Sequence, residues 1–121
     1  MAITDFAFQT QIFFAKHSRI IAGDEAQLWV DKLTEYAQWS FTPIVALVDA
    51  SEVSQITFPA HSLLTKASFI NNVSAIVIAS SSNAQLTFKN IALLGKRNSI
   101  VICPTLDEAR RHAKGLVQAK R

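Results

Sequence analysis

The stretch Ile44–Val48 reads IVALV and is followed at once by Asp49. A continuous apolar run of this length that ends at a polar residue is typical of a strand buried on both faces of a sheet. Two later segments have a similar character, Val73–Ala79 (VSAIVIA) and Ser99–Cys103 (SIVIC). Three such strands in one chain indicate a mostly parallel sheet.

Segments with helical patterning separate these strands. The predicted helices begin at Asp24, near Pro59, at Leu86 and at Thr105. In the last of them, Thr105 and Glu108 have the spacing of a capping box. The third runs from Leu86 to Leu94. Strands and helices that alternate in this way imply right-handed crossovers, with the helices packed on the sheet.

The N-terminal region predicts two further strands. Ala7–Ala15 and Ser18–Ala22 are close enough to pair antiparallel through a turn at Lys16–Ser18, and Gly23 ends the second strand. This hairpin would add an antiparallel edge to the sheet. We therefore predict one small α/β domain over residues 1–121, with a mostly parallel sheet of four or five strands and about four helices.

The composition excludes several classes of function. The chain of 121 residues has only three glycines, so neither a GxGxxG dinucleotide turn nor a GxxxxGKS/T phosphate loop can form. No His or Cys pair has metal-ligand spacing, and no nucleophile signature such as GxSxG is present. We predict no catalytic residue, no metal and no cofactor. The lone Cys103 is expected to act as a small apolar side chain at a strand end.

The N-terminal sequence bears on the cellular location of the protein, and the distribution of charge bears on the kinds of partner that it could bind. Asp5 stands where a signal peptide would carry Lys or Arg, and no apolar run approaches the ~20 residues of a membrane helix, so we expect a cytoplasmic protein without membrane contact. Residues 1–60 carry three basic and seven acidic side chains (net −4), whereas residues 61–121 carry nine and two (net +7). The basic residues lack interleaved aromatic residues, so we do not expect nucleic acid as a partner.

The carboxyl ends of the predicted strands are the best candidate for a functional surface, because ligands gather there in open α/β sheets. A loop after the first buried strand, together with the start of the next helix, would supply Asp49, Ser51, Thr57, Phe58, Pro59 and His61. The alternative is structural, with Asp49 binding loop amides and Thr57 capping the helix.

Two further groups of polar residues are candidates for binding sites. Ser80, Ser81 and Ser82 follow a buried strand, where hydroxyls and amides at a helix start could hold an anion, or where one of them is simply the N-cap. The final helix offers a basic patch, or else a solvated face on which Asp107 pairs with Arg111. Its basic residues are Arg110, Arg111, Lys114, Lys120 and Arg121.

The order of these elements resembles the STAS domain, specifically its SpoIIAA-like branch, over nearly the whole chain. The segments IVALVDASEV, VSAIVIASS and SIVICPTLDEARRHA carry the resemblance. Its most telling parts are the strand that ends in Asp49 with Val53 four residues later, and the T-x-x-E-A helix start at Thr105, Glu108 and Ala109.

The resemblance implies a non-enzymatic protein-interaction module with helices on one side of the sheet. Anti-sigma-factor antagonists of this family bind a kinase-like anti-sigma factor, and phosphorylation of a Ser in an Asp-Ser-Ser-Gly turn switches binding off. The matching turn here is Thr57-Phe58-Pro59-Ala60, with Phe58 at the position of that Ser. Thr57 is the only hydroxyl in the turn, and its place alone motivates the hypothesis of a regulatory role. The implied partner is a kinase-like anti-sigma factor or a second copy of the chain.

A small-molecule carrier is the alternative that the wider resemblance implies. Such a domain would hold an apolar or anionic ligand between sheet and helices. Aromatic residues could line its pocket, although at these spacings they also suit a core. The candidates are Phe8, Phe13, Phe14, Trp29 and Phe41.

Overall fold

The computed structural model describes residues 3–80, 88–90 and 100–119. Its strands are β1 (Ile3–Gln9), β2 (Ile12–Ile21), β3 (Ile44–Ile56), β4 (Val73–Ser80) and β5 (Ile100–Cys103). They form one five-stranded sheet in sequence order. β1 is antiparallel to β2, and the other neighbouring pairs are parallel. The predicted α/β fold with an antiparallel N-terminal strand is therefore confirmed.

The helices with described bounds are α1 (Gly23–Trp39), α2 (Phe58–Ala67) and α3 (Leu106–Ala119). The predicted helix Leu86–Leu94 lies outside the described residues except at 88–90, which are helical. At the start of α3 the Glu108 amide donates a hydrogen bond to Thr105 Oγ1 over 3.2 Å, which is one half of the predicted capping box.

Helices cover both faces of the sheet. Ala46 and Val48 pack in the core beneath α1 and α2, whereas Val45 and Leu47 pack against the buried small residues of α3. The expectation of helices on one side only is wrong. The physical reason is the apolar strand itself, because successive side chains of a strand point to opposite faces and both sets need cover.

The N-terminal hairpin turns at a different place from the one predicted. Thr10 and Gln11 form the turn, with φ of 53° and 65°, and β2 then continues without a turn at Lys16–Ser18. Positive φ at both central residues is the geometry of a type I′ hairpin turn, which Asn and Gly signal in a sequence but Thr and Gln do not. β2 stays extended because β3 pairs with it from Ile12 to Ile21.

The predicted loop after Asp49 is also wrong, since β3 continues to Ile56. Ala50 and Val53 are buried in this second half of the strand, while its polar side chains are exposed. The backbone here finds its partners in β2, with register shifts between Lys16 and Ser18 and between Arg19 and Ile20. Pairing with a distant segment thus makes a strand from a sequence that locally resembles a polar loop.

Candidate functional site

The extended β3 separates the predicted site residues into two groups. Asp49 lies seven positions before Ile56, which is about 23 Å along the strand at ~3.3 Å per residue. Its side chain is 7% exposed and accepts hydrogen bonds from the Ser51 amide (3.2 Å) and the Ser51 hydroxyl (2.7 Å) at Oδ1. Asp49 and Ser51 therefore form a local structural contact, distant along the strand from the start of α2.

Thr57 occupies the N-cap position of α2, but its side chain makes no capping hydrogen bond. Its backbone amide donates to the carbonyl of Ile21 over 3.0 Å, and its carbonyl accepts from the His61 amide over 2.9 Å. The hydroxyl oxygen is buried without a hydrogen-bond partner among the described residues. A kinase therefore has no access to this oxygen in the present conformation, and the predicted cap by the Thr57 side chain is wrong.

Phe58 and Pro59 begin α2 and are both exposed, with 85% of the Phe58 surface accessible to solvent. Pro59 packs closely on the start of α1, because a Cβ added at Gly23 would lie 3.0 Å from Pro59 Cβ. The absence of a side chain at Gly23 allows this approach of the two helix starts. Phe58 therefore projects from a closely packed and hydrogen-bonded position.

A second apolar side chain lies at the same end of the sheet. Ile20 is 47% exposed and is paired with Gln55 in the ladder between β2 and β3. The hydrogen bond from Thr57 to Ile21 joins the residue after Ile20 to the residue before Phe58. We refer to Ile20, Gln55, Phe58 and Pro59 as the strand-end surface. His61, on the next turn of α2, is half-buried.

His17 of β2 lies in the core against Trp29 of α1, and the sequence analysis assigned no role to it. It is 1% exposed, its ring meets Trp29 edge-on at 5.8 Å, and neither ring nitrogen has a hydrogen-bond partner among the described residues. Burial lowers the pKa of His17 to about 4, against the opposing effect of the Asp49 charge. The imidazole is therefore neutral at pH 7.

The serine run after β4 and Cys103 present no exposed binding group among the described residues. Ser80 is fully buried at the end of β4, while Ser81 and Ser82 lie outside the described residues. Cys103 is buried, and burial, with a smaller effect from Glu108, raises the pKa of its thiol.

Within residues 3–80, 88–90 and 100–119 no cluster of three His, Cys, Asp or Glu side chains could hold a metal ion. The helices described there are too short or too polar to cross a bilayer.

Comparisons with known proteins bear on the fold. No family model matches the chain, and no curated protein matches it. It is similar to a crystal structure of an uncharacterized protein of the DUF3478 family with a SpoIIAA-like fold, from Shewanella loihica PV-4, at a TM-score of 0.67 and 13% identity over 93% of this chain and 94% of that one. The chain therefore has a SpoIIAA-like α/β fold, as the STAS resemblance predicts.

Proposed function

We propose that this chain is a non-enzymatic protein-interaction module that binds its partner through the strand-end surface. The observation that carries the proposal is the 85% exposure of Phe58 at the start of α2, at the same end of the sheet as the half-exposed Ile20. Aromatic side chains at the centre of an interface contribute a large share of binding energy, and a polar rim commonly surrounds them. Gln55 supplies part of such a rim here.

The surroundings of Phe58 favour binding because they are already ordered. The Ile21–Thr57 hydrogen bond fixes the chain before α2, and the contact of Pro59 with Gly23 fixes the helix start. A side chain held on a preorganised backbone loses less conformational entropy when a partner binds.

The resemblance to anti-sigma-factor antagonists supports the same location. Phe58 occupies the position of the phosphorylated Ser in that family, and the buried Thr57 oxygen is a poor substitute as a phosphate acceptor. In this proposal the partner, a kinase-like anti-sigma factor or a second copy of the chain, contacts Phe58 directly. Apolar contact replaces the phosphorylation switch. Intact mass after incubation with the kinases of the native cell should show no phosphate at Thr57.

A matched pair of variants tests the proposal. Phe58→Ala removes the central aromatic side chain, and Phe69→Ala removes another exposed one (61%), located just past the opposite end of α2. In quantitative affinity capture from native cells, we expect one partner protein to be recovered with Phe69→Ala as with the unchanged protein. The amount of that protein recovered with Phe58→Ala should be at least tenfold lower, as for an interface hot spot. Equal capture of every protein by the two variants would contradict the proposal.

A carrier of small molecules is the second candidate, but the five aromatic residues predicted to line its pocket do not line one common pocket. Phe13 of β2 and Trp29 of α1 are buried in the core between the sheet and that helix, Phe8 stacks on Tyr36 at 4.9 Å, and Phe41 is fully exposed. Phe14 alone of the five lines the large groove on the opposite face of the sheet. That groove is the observation that favours a carrier.

A further inference from the structure

A groove of about 380 Å³ lies between α3 and the β1–β2 hairpin. It opens beside the Thr10 turn, at the amino end of β2, so it is at the end of the sheet opposite to the strand-end surface. Its volume falls within the lower part of the range of small-molecule pockets, ~300–1,000 Å³. The described lining residues are Ala7, Gln9, Thr10, Ile12, Phe14, Leu47, Arg110, Lys114, Val117 and Gln118.

The floor of the groove is apolar. Leu47 and Val117 are buried beneath it, while Ile12 and Phe14 are only half-buried. α3 packs mainly on β3 and β4 and contacts β2 less extensively, which leaves Ile12 and Phe14 only partly covered. The groove therefore offers partly hydrated apolar surface that a ligand could cover.

One wall of the groove is cationic. Arg110 and Lys114 lie one turn apart on α3, and the Arg110 guanidinium sits 5.7 Å from the centre of the Phe14 ring. Neither side chain forms an ion pair within the described part of the chain, and no acidic residue is among the described residues that line the groove. Two cations that have no ion-pair partner in the described part of the chain thus stand beside an apolar floor.

The neighbouring charges of α3 do not neutralise this wall. The predicted pair of Asp107 with Arg111 is not formed among the described residues, and both side chains are exposed, where an ion pair contributes little. Arg111 does not line the groove. It therefore provides a matched control, with the same charge on the adjacent position of the same helix.

We propose that this groove binds a small amphipathic carboxylate, with its head group between Arg110 and Lys114 and its apolar body on Ile12 and Phe14. The planar guanidinium matches the geometry of a carboxylate and can form two parallel hydrogen bonds with it. A neutral or cationic molecule of the same length would cover the floor but leave the two positive charges unpaired. This inference rests on the second candidate function, not on the protein-binding surface.

Octanoate is the probe for the test, with octanol and octyltrimethylammonium as neutral and cationic counterparts. In ¹⁵N-edited NMR titrations we expect saturable shifts with octanoate at the amides of Phe14, Arg110 and Lys114, and weaker or absent effects with the other two. Arg110→Gln combined with Lys114→Gln should raise the octanoate Kd by at least tenfold, because hydrogen bonds to charged groups are lost. Arg111→Gln should change it by less than about twofold.

Three results would overturn the inference: no saturable octanoate binding, equally tight binding of octanol, or an equal loss of affinity in Arg111→Gln. The substituted side chains are exposed, so the variants are expected to fold, and circular dichroism checks this. Phe58→Ala should bind octanoate as the unchanged protein does. A failure at this groove is therefore distinguishable from a failure of the strand-end surface.

Discussion

His17 is a buried side chain whose two ring nitrogens have no hydrogen-bond partner among the described residues. The native pKa of about 4 lies below the ordinary value of 6.5. Between these pH values the unfolded chain binds the proton and the native chain does not. Protonation of His17 therefore destabilises the fold as the pH falls from 6.5 to 4, and the effect is complete below 4.

We expect His17→Phe to weaken this pH dependence. The free energy of unfolding of the unchanged protein should fall by about 3 kcal/mol more than that of the variant between pH 7 and pH 4, as measured by urea denaturation. His112→Gln, which removes an exposed imidazole, is the control. An equal fall in the His17→Phe protein would contradict the assignment.

Asn72 joins two distant parts of the fold. Its side-chain amide lies 2.9 Å from the Ala37 carbonyl and 3.0 Å from the Ser40 carbonyl at the end of α1, and its φ is 70°. We expect Asn72→Gly to lower the free energy of unfolding by about 1–2 kcal/mol, because the helix end loses its donor. Asn72→Ala should lower it by about 1 kcal/mol more, because Ala tolerates positive φ poorly.

Urea denaturation of the two Asn72 variants separates these contributions. If Asn72→Gly were as stable as the unchanged protein, the amide contacts would contribute nothing. If Asn72→Gly and Asn72→Ala were equally stable, the left-handed backbone would impose no strain on Ala.

Among the strands and helices, the sequence predicted those whose position depends on local patterns of residues. The apolar runs placed β4, β5 and the first half of β3, and the cap at Thr105 placed the start of α3. The second half of β3 could not be predicted, because its extended backbone depends on pairing with β2, more than 30 residues away in the chain. The hairpin turn was missed for a different reason, since Thr10 and Gln11 are not the usual residues of that turn.

The two described glycines should respond in opposite directions to the same substitution. Gly23→Ala brings a Cβ to 3.0 Å from Pro59, so we expect a loss of about 1 kcal/mol or more in the free energy of unfolding. Gly115→Ala, in α3, meets no atom within 4 Å and should stabilise the protein by about 0.5–1 kcal/mol. Thermal denaturation checks both, and an increase in Tm for Gly23→Ala would contradict the close packing of α1 on α2.

At the scale of the whole molecule, the two proposed sites lie at opposite ends of the sheet. The strand-end surface follows the carboxyl ends of β2 and β3, while the groove is beside the Thr10 turn at the amino end of β2. The STAS resemblance drew attention to Phe58 as the residue at the position of the family's phosphorylated Ser. The groove was not predictable, because its lining comes from β1, β2, β3 and α3. The signals in the sequence were the basic residues Arg110 and Lys114 on the final helix and Phe14 among the candidate pocket aromatic residues.

Site-specific photo-crosslinking tests whether a protein partner contacts Phe58. A benzoylphenylalanine placed at position 58 in living native cells should give one discrete adduct on irradiation, either with another protein or with a second copy of the chain. The same photo-reactive residue at position 69 should not give that adduct, because Phe69 is exposed beyond the other end of α2. No adduct from position 58, or the same adduct from both positions, would contradict the account.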